Sequence, residues 1–192
     1  MASGTGSLLS SLIGRADDGA PFRIVAVAVD RPCRAADIAR DHDIPTVLCR
    51  VVDHPDRAAW DAALTGQVEA FEPQWVITAG FMKILGPVFL SRFGGRIVNS
   101  HPALLPSFPG AHGVADALAH GVKVTGTTVH LVDEGVDTGP ILAQEPVAIH
   151  RDDTEDTLHE RIKSVERQLL ADVVTALVTK GVVIDGRKAD IP

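Results

Sequence analysis

The chain is poor in cysteine and aromatic residues, and it has no long apolar run. Its two cysteines, Cys33 and Cys49, form no CxxC pair. No disulfide framework is expected, as in a reduced cytosolic protein. Aromatic residues make up 4% of the chain against 45% hydrophobic residues overall. The core is therefore aliphatic, which suits buried parallel strands better than a small β-barrel. No stretch reaches the roughly 18 apolar residues of a membrane-spanning helix. No basic segment followed by an apolar one opens the chain, so neither a membrane span nor a signal peptide is expected. The net charge is −7, a field that attracts neither nucleic acid nor an anionic membrane. An anionic ligand would need a local site of backbone amides and a few cations. The histidines show no HxxxH or HxH spacing, and no GxSxG or Cys–His arrangement is present. Neither a metal centre nor a covalent nucleophile is expected.

With 192 residues, one well-filled α/β domain is the natural size. The apolar run Phe22–Asp30, the segment Pro45–Val51, Trp75–Ala79 and Ile97–Val98 are predicted as strands. Helical spacing follows the opening glycines to about Ile13. It recurs over Arg34–Asp41, over Asp56–Phe71 (Trp60, Leu64, Val68; capped by Asp53 or His54) and over Pro87–Phe93. This alternation indicates βαβ units. From Lys123 onward, Val124, Gly126, Thr128, His130 and Val132 alternate with their neighbours. A Gly-rich turn then leads to a strand over Pro140–Ile149. Two strands joined without room for a helix run antiparallel, so the sheet is mixed. A long helix follows, capped by Asp152 or Asp153, with a stripe Leu158, Ile162, Val165, Leu169, Val173 and a stop at Gly181.

Four places carry candidate chemistry. Asn99 and His101 end a strand two residues apart and so share one face; three prolines and a glycine follow within nine residues. Such a pair suits a carbonyl that gains negative charge, or it satisfies loop carbonyls; the pair alone divides evenly between the two. Asp133–Gly139 reads as a solvated acidic turn or as the source of a carboxylate, Asp137, that favours the imidazolium of His101. Ser3-Gly4-Thr5-Gly6-Ser7 before a helix suits a phosphate or is a tight turn, and Leu9 stands where a full GxGxxG motif needs glycine. Gly80–Gly86, with Met82, Lys83, Ile84 and Leu85, lies at a strand's carboxyl end, as a ligand loop or a core-capping one. Lys163 and Glu166 are i,i+3 neighbours on the last helix, read by default as a surface ion pair.

Asn99-Ser-His101-Pro-Ala-Leu-Leu-Pro106, with Asp137 in Asp-Glu-Gly-Val-Asp-Thr-Gly-Pro, resembles the signature of the folate-dependent formyltransferases. Gly80-Phe-Met-Lys-Ile-Leu85 and Ser-Gly-Thr-Gly-Ser-Leu-Leu narrow the resemblance to the phosphoribosylglycinamide formyltransferase family, over nearly the whole chain. It implies a three-layer α/β fold with a mostly parallel mixed sheet, helices on both faces and a Rossmann-like first half (about 1–95) before a catalytic and folate-binding half (about 96–192). The implied reaction moves a formyl group from 10-formyltetrahydrofolate to the amine of glycinamide ribonucleotide, without metal, in a cytoplasmic monomer or homodimer that uses neither nucleic acid nor membrane. His101 would be the general acid, Asn99 would help hold the oxyanion, and Asp137 would keep His101 protonated and order a water. Thr5, Gly6 and Ser7 would bind the phosphate, with Glu166 and Lys163 on the ribose side. Met82, Lys83, Ile84, Leu85, Asn99, Asp133, Glu134, Gly135, Val136 and Asp137 would line the folate pocket, and Arg57 matches a folate-contacting position more loosely.

The resemblance also implies an apolar strand before the glycine loop, where only Met1 and Ala2 stand. The expectation is a first strand missing, unpaired backbone on its neighbours and a loop without its anchor. Leu8 replaces a frequent Asn, removing one contact to the phosphate. Two other outcomes share these motifs, hydrolysis of formyltetrahydrofolate and folate binding without turnover. The hydrolase would bring a regulatory domain for which this chain has no room.

Overall fold

Val27–Val29 forms the first strand, β1, and every side chain in it is buried. The computed structural model describes residues 1–192, which form two compact units, Met1–Val98 and Asn99–Pro192. In the first unit β1 pairs parallel with β2 (Thr46–Leu48), Val27 opposite Thr46 and Val29 opposite Leu48. Helix α1 (Ser7–Asp17) precedes β1, and α2 (Arg34–Asp41) connects the two strands. Leu9, Ile13, Val27, Val29, Ala35, Ala36 and Ala39 make a common core with Ala2. The strand predicted over Phe22–Asp30 shrinks to its last third. Phe22, Ile24, Val25 and Ala26 are apolar, but no strand forms over residues 22–26, since a strand needs a backbone ladder as well as apolar side chains. Likewise Pro45–Val51 yields only the three residues of β2, followed by a 3-10 turn at Val51–Asp53.

Helix α3 (Arg57–Glu69) buries Trp60, Leu64 and Val68, as its spacing predicts. Its cap is neither Asp53 nor His54. Asp56 accepts from Ala59 N at 2.8 Å, while Asp53 is engaged by Arg50 at 2.6 Å. Strand β3 (Val76–Thr78), helix α4 (Pro87–Phe93) and the start of β4 (Ile97–His101) complete the unit.

Met1 and Ala2 do the work of a strand in miniature. Ala2 N donates to Ala28 O at 2.9 Å, and Ala79 N donates to Met1 O at 2.8 Å. Ser3 N reaches Gly80 O at 3.0 Å, and Ala2 bridges Val29 in parallel. The expectation of an unanchored loop is corrected at these positions: two residues bond to the backbone of β1 on one side and of β3 and its following residue on the other.

In the second unit the strands follow the order β4, β5 (Val124–Leu131), β6 (Ile141–Ala148), β8 (Lys188–Asp190), β7 (Val183–Asp185). β5 and β6 are antiparallel from Val124–Ala148 to His130–Ile141, with a bulge between Val129 and His130. Two elements were not foreseen, helix α5 (Gly113–His120) and the terminal β7–β8 hairpin. Helix α6 (Glu155–Lys180) is capped by Thr154, whose hydroxyl accepts from Thr157 N in a capping box. The expected caps fail because Asp153 binds Arg161 at 2.6 Å instead. The buried stripe of α6 is Leu158, Ile162, Glu166, Leu170, Val173, Val174 and Leu177. Val165 and Leu169, expected there, are only half-buried, so the stripe is rotated slightly and includes an acid.

Candidate active site

Asn99 and His101 sit on β4, whose residues point alternately to its two faces. His101 is buried and Asn99 half-buried. His101 Nε2 lies 2.8 Å from Phe108 O; a carbonyl only accepts, so this nitrogen carries hydrogen. His101 Nδ1 lies 3.4 Å from Asp137 Oδ2. Oxygen acceptors therefore face both ring nitrogens. The turn after His101 is pinned by threonines of β5. Thr127 donates to His101 O at 3.2 Å, and Thr128 donates to Ala103 O at 2.7 Å while accepting from Leu105 N at 3.0 Å.

Asp137 belongs to the loop between β5 and β6, at a left-handed φ of 54°. A non-glycine residue held there is uncommon and costs free energy. Its Oδ2 accepts from Gly110 N at 2.8 Å, and its Oδ1 lies 3.5 Å from His130 Nε2. Burial alone would raise this carboxyl. The hydrogen bonds from His130 and the Gly110 amide, with the charges of both imidazoles, prevail and hold it below the usual carboxylate range. It therefore remains a carboxylate at neutral pH.

His130 was read only as one alternating strand residue, without a role. It is 2% exposed, its Nδ1 lies 2.8 Å from Leu131 O, and its Nε2 lies 3.2 Å from Asn99 Nδ2. Nε2 thus stands between the Asn99 amide and the Asp137 carboxylate, and ties the two to one strand residue. An imidazole on a buried strand was the available signal. Gly113 was also missed: a Cβ there would meet His101 Nε2 and Phe108 O, both at 3.1 Å, so any side chain at this first residue of α5 crowds the His101 ring.

Asp133 Oδ1 accepts from Gly135 N at 3.0 Å and from Thr138 Oγ1 at 2.6 Å, shaping the turn that carries Asp137. Glu134, Gly135 and Val136 are exposed. The Lys163–Glu166 surface pair is not formed. Lys163 Nζ pairs with Glu160 at 2.8 Å, and Glu166 is buried, accepting from Ser100 Oγ at 2.6 Å.

In the first unit the glycine loop ends at Gly6, the N-cap of α1, with φ 76°. A Cβ there would lie 2.8 Å from Ile38 Cδ1 and 2.9 Å from Ala35 Cα, so only glycine lets α2 close on the loop. Thr5 is exposed and Ser7 half-buried, beside the unpaired amides that open α1. Leu8 is buried with Leu9, Leu12 and Ile13, which accounts for its apolar character.

The loop Gly80–Gly86 is tied down at several points. Met82 N donates to Ser3 Oγ at 2.9 Å, and Arg57 donates to Ile84 O with its guanidinium 4.2 Å from the Trp60 ring centre. Asp61, buried on α3, accepts from Gly86 N at 2.9 Å and Val88 N at 2.8 Å. These bonds leave Met82 and Ile84 60% and 67% exposed while Leu85 is buried. Lys83 lies 3.7 Å from the buried Asp30 carboxylate. No group of three or more His, Cys, Asp or Glu side chains is placed to hold a metal ion, and no helix is long and apolar enough to cross a membrane.

Residues 1–174 match the formyl transferase family model, and the chain belongs to that family. Within it, the chain is 62% identical over 189 residues to the phosphoribosylglycinamide formyltransferase of Mycobacterium tuberculosis, covering 98% of this chain and 88% of that protein. It is 36% identical over 179 residues to the enzyme of the same name from Bacillus subtilis, covering 92% of each. The crystal structure of glycinamide ribonucleotide transformylase 1 from Symbiobacterium toebii superposes with a TM-score of 0.96 at 36% identity, covering 99% of this chain and 91% of that one. The fold is accordingly α/β, a mixed, mostly parallel sheet with helices on both sides.

Proposed function

We propose that this protein transfers the formyl group of 10-formyltetrahydrofolate to the amine of 5-phosphoribosylglycinamide, a step of purine biosynthesis. The cluster of Asn99, His101, His130 and Asp137 carries the reading. The amine attacks the formyl carbon, a C–N bond forms, and the carbonyl π pair moves to oxygen. The Asn99 amide is a neutral N–H donor beside His101 on β4, and the two suit the developing oxyanion. Collapse breaks the bond to N10 of the folate, which takes the electron pair and a proton from His101. The attacking nitrogen loses one proton, so the net transfer is one proton from acceptor amine to N10. Asp137, 3.4 Å from His101 Nδ1, orients the ring and orders the water that relays that proton. Burial of the cluster strengthens each of these interactions.

The remaining assignments belong to the same reading. Thr5, Gly6 and Ser7 bind the acceptor's phosphate through amides at the start of α1, and Glu166 and Lys163 serve the ribose side. Arg57, Met82–Leu85 and Asp133–Asp137 contact the folate, whose ring the exposed Met82 and Ile84 suit. The chain acts as one formyltransferase domain, in the cytoplasm, as a monomer or homodimer. The experiment follows release of tetrahydrofolate from the 10-formyl co-substrate with and without glycinamide ribonucleotide. Release that depends on the amine is expected. Release without it would make the protein a hydrolase, and binding without release would leave only a folate-binding protein.

A further inference from the structure

Glu166 stands where an apolar side chain belongs. It follows Leu158 and Ile162 and precedes Leu170 at steps of four along the buried stripe of α6, and it is 5% exposed. An acid in such a position destabilises the fold unless a partner or a ligand compensates. Lys163, one turn earlier on its helix, is engaged by Glu160 at 2.8 Å. The contact Glu166 makes is with Ser100 Oγ, 2.6 Å from Oε1, and Ser100 is itself 8% exposed. Burial pushes the Glu166 carboxyl up, while the Ser100 hydroxyl and the charges of Lys163 and Arg167 pull it down. Ser100 thus favours the ionised form and fixes the rotation of the carboxylate about its last torsion.

Ser100 also occupies a particular place on β4. It lies between Asn99 and His101, and successive residues of a strand face opposite sides. An ionised carboxylate with one oxygen held by a hydroxyl presents its remaining lone pairs to hydroxyl donors, and a vicinal diol supplies two. A protonated carboxyl would present fewer acceptors.

We propose that Ser100 is a positioning residue that sets acceptor selectivity, holding the Glu166 carboxylate so that it accepts from the vicinal hydroxyls of the acceptor's ribose and disfavours a deoxyribose. This rests on the reading above in which Glu166 serves the ribose side. Steady-state kinetics of wild type, Ser100→Ala and Ser100→Thr with glycinamide ribonucleotide and its 2′-deoxy counterpart test it. Ser100→Ala should raise KM for the ribonucleotide about tenfold, the effect of losing one hydrogen bond to a charged group. It should leave kcat and the KM for the formyl-folate within about threefold. The 2′-deoxy acceptor should show a high KM with wild type and little further change with Ser100→Ala. Ser100→Thr, which keeps the hydroxyl, should recover most of the ribonucleotide KM. An unchanged KM in Ser100→Ala, a fall in kcat alone, or an equal penalty on both acceptors would overturn the inference while leaving the formyl-transfer reading intact. Absence of amine-dependent turnover in wild type would remove both.

Discussion

The glycine loop of the first unit and the Asp137 cluster of the second make polar sites from the same aliphatic chain by opposite means. In the loop the donors are backbone amides, and the decisive residue, Gly6, contributes by lacking a side chain. Around Asp137 the groups are side chains from two strands and a loop, buried and hydrogen-bonded to one another. The first kind of site tolerates exchange of its neighbouring side chains and fails when a Cβ is added. The second tolerates none of its members being shortened, because each leaves a buried partner unsatisfied.

The largest effect should come from the side-chain cluster. His101→Ala or Asp137→Asn is expected to lower kcat by roughly 10²–10³, as losing one transition-state donor does, with a far smaller change in the denaturation midpoint. His130→Ala, which acts through Asn99 and Asp137, should cost about tenfold by the same assay. Near-normal kcat in the His101 variant would show that the cluster is structural. The backbone site is sharpened by Gly6→Ala. A side chain at φ 76° with Ala35 Cα 2.9 Å away should cost about 1–3 kcal/mol of stability and raise KM for the acceptor. A Gly6→Ala protein with wild-type melting and acceptor KM would refute the close approach of α2.

The smallest effect concerns Glu166, an acid in the stripe of a helix. Its folded-state carboxyl is raised by burial, so the folded protein holds that proton more tightly than the unfolded chain. Its unfavourable contribution is absent below the ordinary glutamate value, grows as pH rises above it, and is complete above the folded one. Glu166→Gln should therefore melt higher than wild type at pH 7–8 by roughly 2–4 °C, the equivalent of about 1 kcal/mol in a domain of this size. The difference should shrink as pH falls toward 4.5. A variant less stable than wild type at neutral pH would mean that the charge, and not the burial, dominates.

What the sequence made legible follows the same division. Helices α2 and α4 match their expected spans, because flanking prolines, glycines and helical spacing are local. So were Asn99 and His101, two residues apart on one strand. His130 was not legible as a member of the cluster. Its partners lie seven and thirty-one residues away in the chain, and only the pairing of strands brings them together. The cap of α6 shows a competition that spacing cannot reveal: Asp153 was the better-looking cap, but Arg161 binds it, and Thr154 takes the position. Apolarity marked residues 22–26 as strand, while strand formation depends on backbone partners elsewhere in the chain.

The left-handed backbone at Asp137 has a consequence for how this site can change over generations. Asparagine and glycine accept that conformation most readily, and both discard the charge. A residue that keeps the charge with a longer side chain would have to fit both the strained backbone and a space already closed by Gly110 and two imidazoles. Drift at this position is therefore biased toward inactive but well-folded descendants, which would keep the fold and the ligand surfaces after the chemistry has gone.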